Sequence, residues 1–192
     1  MANANTKFGL RPVRDVNGRP YSGSVNLYAV PATDGTALYL GDPVKLGGTG
    51  EIVNDSTYVD VTRAATGDVC LGAVVGVFAD TRDSLIYRAA STLRLVFVAD
   101  DPNALFEIQE SAGGTALTAN DIGLNADFVV GSGSADTGRS GVELNNATEA
   151  TTNTLDLKIV GLVNRPDNAI GENAKWLVRI NRHQYANQVA GI

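Results

Sequence analysis

Apolar and polar residues alternate with a period of two along four stretches of the chain. Residues 24–30 set Val25, Leu27 and Ala29 against Asn26, Tyr28 and Val30. Residues 93–99 place Leu93, Leu95, Phe97 and Ala99 on one side and Arg94, Val96 and Val98 on the other. Leu155, Leu157, Ile159 and Val163 share a side opposite Asp156 and Lys158, and Trp176, Val178 and Ile180 alternate with Lys175, Leu177 and Arg179. Successive side chains of a strand point to opposite faces, so this pattern predicts β-strands. The second face is often apolar too, which predicts sheets covered on both sides or meeting another subunit.

Turn formers separate these runs, at residues 34–35, 41–43, 47–48, 66–68, 100–102, 113–114 and 165–168. Glycine there supplies positive φ, proline fixes φ, and Asp or Asn bonds the nearby backbone. Many short strands so punctuated predict an all-β fold, a compact β-barrel or sandwich-type domain with little helix. Helical signal is confined to residues 118–124, where Thr118 as N-cap and Asp121 three residues on make an Asp-containing relative of the capping box. The glycine- and serine-rich stretch 131–141 predicts a mobile surface loop. The long polar connection around it covers residues 131–153.

Residues 1–20 differ from the rest. They hold Lys7, Arg11, Arg14 and Arg19 against Asp15, a net charge of 4 − 1 = +3, while the whole chain of 192 residues carries −6. Gly9, Pro12, Gly18 and Pro20 exclude a long helix, and Phe8, Leu10 and Val13 offer little to bury. This predicts an extended basic arm that orders on a partner through Lys7, Phe8, Leu10, Arg11, Arg14 and Arg19. The β-rich body is then 21–192. The pattern allows it to divide near residue 90 into modules 21–90 and 91–192, although no linker separates them.

Composition narrows the chemistry. A single cysteine, Cys70, excludes an intrachain disulfide framework and multi-Cys metal sites, and a single histidine, His183, excludes His-rich ones. A net charge of −6 argues against bulk nucleic-acid binding. Residues 1–7 lack the apolar core of a signal peptide, and the longest nearly apolar run, 69–79, is too short to span a membrane. The expectation is synthesis and folding in a cytosol. The Asn-x-Ser/Thr sequences at Asn54 and Asn146 then read as polar loops.

Catalytic patterns are weak. The stretch Gly47, Gly48, Thr49, Gly50 is followed by Glu51, which would repel phosphate, and reads as a tight turn. Cys70 lies in an apolar run as an inert core thiol. Asp100, Asp101, Glu107 and Glu110 lack EF-hand spacing, and Asp101 with Pro102 and Asn103 reads as a turn. Neither an enzyme nor a cofactor or metal is expected. Interface chemistry remains. Arginines outnumber lysines 11 to 4, which suits partly buried contacts. Arg179, Arg182, His183 and Tyr185, near the C-terminal end, are the expected subunit-contact residues.

The opening at residues 2–14 (ANANTKFGLRPVR), residues 41–44 (GDPV), the turn at 99–102 before Phe106 and Glu107, residues 123–127 (GLNAD), and the closing segments 161–163 and 173–183 are together distinctive. In these the chain resembles the capsid cement or decoration proteins of tailed bacteriophages. The resemblance implies a β-rich homotrimer on the outer surface of the virion, bridging neighbouring copies of the major capsid protein, with no nucleic-acid or membrane partner. A head–tail connector or tail component is the alternative reading. A carbohydrate-binding β domain or hydrolase is the more distant one, poorly supplied with aromatics at 6%.

Overall fold

The computed structural model describes residues 3–186; residues 1–2 and 187–192, included in the arm and body expected above, lie outside the described residues. Twelve strands and one 3-10 turn, Ala119–Asp121, form the regular structure, and no α-helix occurs among the described residues. In chain order the strands are β1 (Arg11–Asp15), β2 (Asn26–Val30), β3 (Pro43–Val53), β4 (Ser56–Arg63), β5 (Gly72–Val77) and β6 (Arg94–Ala99). There follow β7 (Ala104–Gln109), β8 (Asn125–Ala126), β9 (Phe128–Val129), β10 (Glu143–Leu144), β11 (Leu157–Leu162) and β12 (Lys175–Ile180). The fold is all-β, as the alternation predicts. The capping box at Thr118 and Asp121 forms, but it starts a single 3-10 turn.

Strands β2 to β6 close a small barrel in the order β2-β4-β3-β5-β6, with β6 returning to β2. Its lumen is packed with β-branched side chains, Val30, Val44, Val61, Val74, Val96 and Val98, all 0% exposed. Arg88 is buried among loops at residues 31–36 and 92. Its Nη2 and Nη1 donate to the carbonyls of Pro31 and Thr36 at 2.6 Å each, and its Nε to Thr92 at 2.8 Å.

The other main sheet is antiparallel, in the order β1-β7-β12-β11-β8. Its inner face presents Phe106, Ile108, Trp176, Val178, Leu157 and Ile159 to the outside of the barrel. There Ala73 and Ala99, cross-strand partners on β5 and β6, let the layers approach. Thus Val96 and Val98 of β6 face the barrel lumen, while on its other side Ala99 meets the second sheet, Leu95 is buried and Phe97 packs beside Phe78. This explains its doubly apolar pattern. Trp176 also anchors a buried polar hub. Its Nε1 donates to Glu110 Oε2 at 2.8 Å, and Glu110 Oε1 accepts from Leu117 N at 2.9 Å and Asn146 Nδ2 at 3.0 Å. Asn146 is therefore a buried structural residue and not part of a polar surface loop.

Three expectations need correction. The barrel and second sheet meet near residue 100 and not residue 90, because β6 is required to close the barrel. Of the expected arm 1–20, the described residues 3–20 are not separate from the body. Leu10 is 1% exposed in the core between the layers, and β1 is hydrogen-bonded to β7 as part of the sheet. Residues 131–141 are folded against the barrel entrance. A Cβ on Gly133 would lie 2.2 Å from the ring of Tyr39, and one on Gly131 would lie 2.2 Å from the carbonyl oxygen of Gly141. Ser140, buried, donates its hydroxyl to the carboxylate of Asp42. The glycines are there for close packing, which a composition count reads as freedom.

Candidate functional site

Cross-strand neighbours in a sheet point to the same face. On the outer face of the second sheet, Arg14 of β1 pairs with Leu105 of β7, Leu105 with Arg179 of β12, and Arg179 with Lys158 of β11. Three cations thus occupy one row across four strands, roughly 14 Å at ordinary strand spacing. The row beside it runs Arg11, Glu107, Leu177, Gly161. Glu107, buried, is held by the guanidinium of Arg11, and Arg165 Nη1 lies 2.9 Å from its other oxygen. Arg165 Nε also lies 3.3 Å from Asp167, so these two guanidinium groups and two carboxylates balance, and the excess positive charge of the face lies in the row of Arg14, Arg179 and Lys158.

The cations differ in how they are engaged. Arg179 Nε donates to the carbonyl of Pro102 at 2.8 Å, and Lys158 Nζ to that of Gly123 at 3.2 Å. Carbonyls orient these groups without cancelling their charge. Arg14 is exposed and has no ion-pair partner among the described residues. Beside it runs a groove of about 300 Å³, with Leu177 and Glu107 at its base and Val13, Leu162 and Val163 along its sides. Bulges in β1, between Pro12 and Arg14, and in β11, between Ile159 and Gly161, interrupt the register where those walls stand. A bulge re-aims side chains that regular pleating would point elsewhere.

The residues singled out in the sequence are dispersed over several sites. Arg11, Arg14 and Arg179 come together on this face. Lys7 pairs with Glu143 at 2.6 Å, and Phe8 lies under the Arg11 guanidinium, 4.9 Å from centroid to Cζ. Residues 3–7 are stitched across the sheet end. Asn3 bonds the backbone at Ala169 and Glu172, Lys175 donates to Ala4, and Gln109 bonds Asn5 and Thr6. Leu10 is committed to the core, so it cannot serve as a partner anchor in this structure. Arg19 is exposed in the turn after β1, in a cleft that also holds Arg14, Asp15 and Asp101.

The expected subunit contacts also separate. Arg182 Nη1 donates to the carbonyls of Gly67 at 2.6 Å and Thr154 at 3.3 Å, tying barrel to sheet. His183, expected as a subunit contact, is buried within the chain's own fold. Its backbone bridges Cys70, whose amide and carbonyl bond Arg182 and Gln184. Burial pushes the His183 pKa down to about 4, against the pull of Asp100 and Asp101. Its Nδ1 accepts from Tyr185 N at 3.1 Å, while Nε2 is buried with no hydrogen-bond partner among the described residues. Burial and the charges of Asp156 and Asp68 raise the Cys70 pKa, which disfavours the thiolate. Tyr185 is exposed, with its hydroxyl 3.2 Å from that of Tyr28, which donates to Asp100 at 2.6 Å.

Lys158, Arg165, Leu105 and Leu177 belong to the face but were not among the expected binding residues, and Glu107 was weighed in the sequence only as one of four acids without metal-site spacing. Each strand's alternation places a charge opposite the apolar side. Register between strands, offset by two bulges, decides which charges become neighbours. Among the described residues, no group of three or more His, Cys, Asp or Glu side chains is arranged to hold a metal ion. Comparison with protein-family models, curated proteins and solved structures yields no match.

Proposed function

We propose that this protein is a structural cement of a tailed-phage head, binding the outside of the assembled shell and bridging neighbouring major capsid subunits. The observation that carries the reading is the basic sheet face on a chain of net charge −6. Its cations lie on the outer face with a partly apolar groove beside Arg14, a surface matched to an acidic, partly apolar protein partner. The sequence resemblance supplies the shell as that partner. A ligand that binds the assembled, expanded shell in preference to free subunits stabilises assembly by mass action. A homotrimer gains avidity by contacting several shell subunits at once.

The test mixes purified protein with shells lacking it, followed by particle imaging and thermal disruption. Decoration at many equivalent surface positions, with raised shell disruption temperature, is the expected result. A single ring per particle would assign the protein to a connector. Shells left bare at saturating protein would overturn the cement reading. Equally tight decoration by a variant carrying Arg14→Glu and Lys158→Glu would overturn the assignment of the basic face as the contact.

A further inference from the structure

We infer that the groove beside β1 is a docking site for an extended acidic segment of a partner protein, with one aliphatic side chain seated over Leu177. The inference takes the identity of the partner from the cement reading, but the selectivity of the groove stands on its own geometry. Val13, Leu162, Val163 and Leu177 give it aliphatic surface, and Arg14 stands at its rim. Two bulges set the walls apart on either side of the regular strands β7 and β12. Evolution keeps such irregularities where a side chain must be re-aimed.

Charge decides the occupant. The one carboxylate of the groove, Glu107, already lies against Arg11 and Arg165, so it does not neutralise Arg14. Arg179 and Lys158 continue the cationic row beyond the groove. Carboxylates spaced along an extended chain, at about 6.6 Å for alternate residues, can therefore meet successive cations while the side chain between them turns to the aliphatic floor. A single-stranded nucleic acid would also meet the charge. It would, however, need flat faces on which to stack its bases, and no aromatic residue lines the groove. Aliphatic walls favour a peptide.

The experiment titrates the full-length protein with three blocked pentapeptides, Glu-Leu-Glu-Val-Glu, its Gln analogue and its Lys analogue, reading backbone amide shifts by NMR. The acidic peptide is expected to move the amides of Val13, Arg14, Leu162, Val163 and Leu177, and to bind about tenfold more tightly than the Gln analogue. Arg14→Glu should remove that preference, and the pair Arg14→Glu with Lys158→Glu should transfer it to the Lys analogue. Arg14 is exposed and has no ion-pair partner among the described residues, so a loss through misfolding would show as a global change in the spectrum and is separable. Equal binding of the acidic and Gln peptides overturns the inference. So does shift perturbation confined to other surfaces, or displacement of the acidic peptide by oligothymidine at equal charge concentration. Peptide selectivity with bare shells would sink the cement reading and spare the groove, and decoration without peptide selectivity would do the reverse.

Discussion

Asp156 and His183 lie where the end of the chain is sewn to the barrel, and burial moves their protonation in opposite directions. Asp156 accepts from Gly67 N at 3.0 Å, yet loss of solvent, aided by the charge of Asp127, lifts its pKa to about 6. The folded protein therefore holds a proton between about pH 4 and 6 that the unfolded chain has released, and this group's contribution falls as pH rises. His183, held near 4, lacks in the folded state a proton that the unfolded chain binds below about pH 6.5. Its contribution is present above that pH and is lost on acidification. The two slopes oppose each other. In urea unfolding across pH 4 to 6.5, Asp156→Asn should gain stability relative to wild type as pH rises. His183→Asn should lose it, each by on the order of 1–3 kcal/mol over the window. Parallel profiles for wild type and both variants would contradict the assignment.

At the scale of elements, the segment 131–141 gives a sharp contrast between composition and packing. The Cβ of Gly133→Ala would collide with the ring of Tyr39, which is stacked on Tyr87 with centroids 4.9 Å apart and so has little room to yield. Gly35 faces open space and has no positive φ to preserve. We expect Gly133→Ala to lower stability by about 2 kcal/mol or more, and Gly35→Ala to be neutral or slightly stabilising. Equal unfolding midpoints would mean that the segment is loosely held. The strands β2, β6, β11 and β12 were legible because each alternates. β7 was harder to read, since Glu107 and Gln109 are buried polar residues whose partners, Arg11, Arg165, Asn5 and Thr6, come from distant sequence. The cationic row was partly legible: Arg14 and Arg179 stood out as residues and Lys158 did not, and their adjacency depends on strand order and bulges. The N-terminal expectation failed for a related reason. Counting apolar groups within residues 1–20 misses that Leu10 completes a core built by others. Removing residues 1–7 should therefore leave a folded protein weakened by about 1–3 kcal/mol, because Gln109, Lys175 and Glu143 lose partners. Removing residues 1–15 should abolish the cooperative transition in circular dichroism, because it strips β1 and Leu10 from the sheet. A 1–15 deletion that still melts cooperatively at the wild-type temperature would restore the detachable arm.

For the whole molecule, the arrangement of charge matters more than its sum. Residues 22–99, which hold the barrel, carry Lys45 and four arginines against eight acids, a net of 5 − 8 = −3, and the rest of the chain carries 10 − 13 = −3, so the two parts do not differ in net charge and only the placement of the cations can give direction. The outer face of the second sheet gathers cations against one buried glutamate. Direction comes from that local row: the basic face is drawn toward an acidic surface ahead of the rest of the molecule, which is net acidic. Orientation before contact raises the association rate, and the Debye length of about 8 Å at physiological ionic strength sets how far it acts. Once docked, the aliphatic contacts in the groove are screened little by salt. Under the cement reading, raising salt from about 20 to 200 mM should therefore slow association with shells by about tenfold or more and change dissociation much less. Arg14→Glu should flatten that salt dependence, whereas a bulky replacement at the groove wall, Val163→Glu, should speed dissociation. Surface-immobilised shells read by interferometry separate the two rates. Association insensitive to salt would mean that the cationic row faces away from the partner, and the contact would then have to be sought on the barrel.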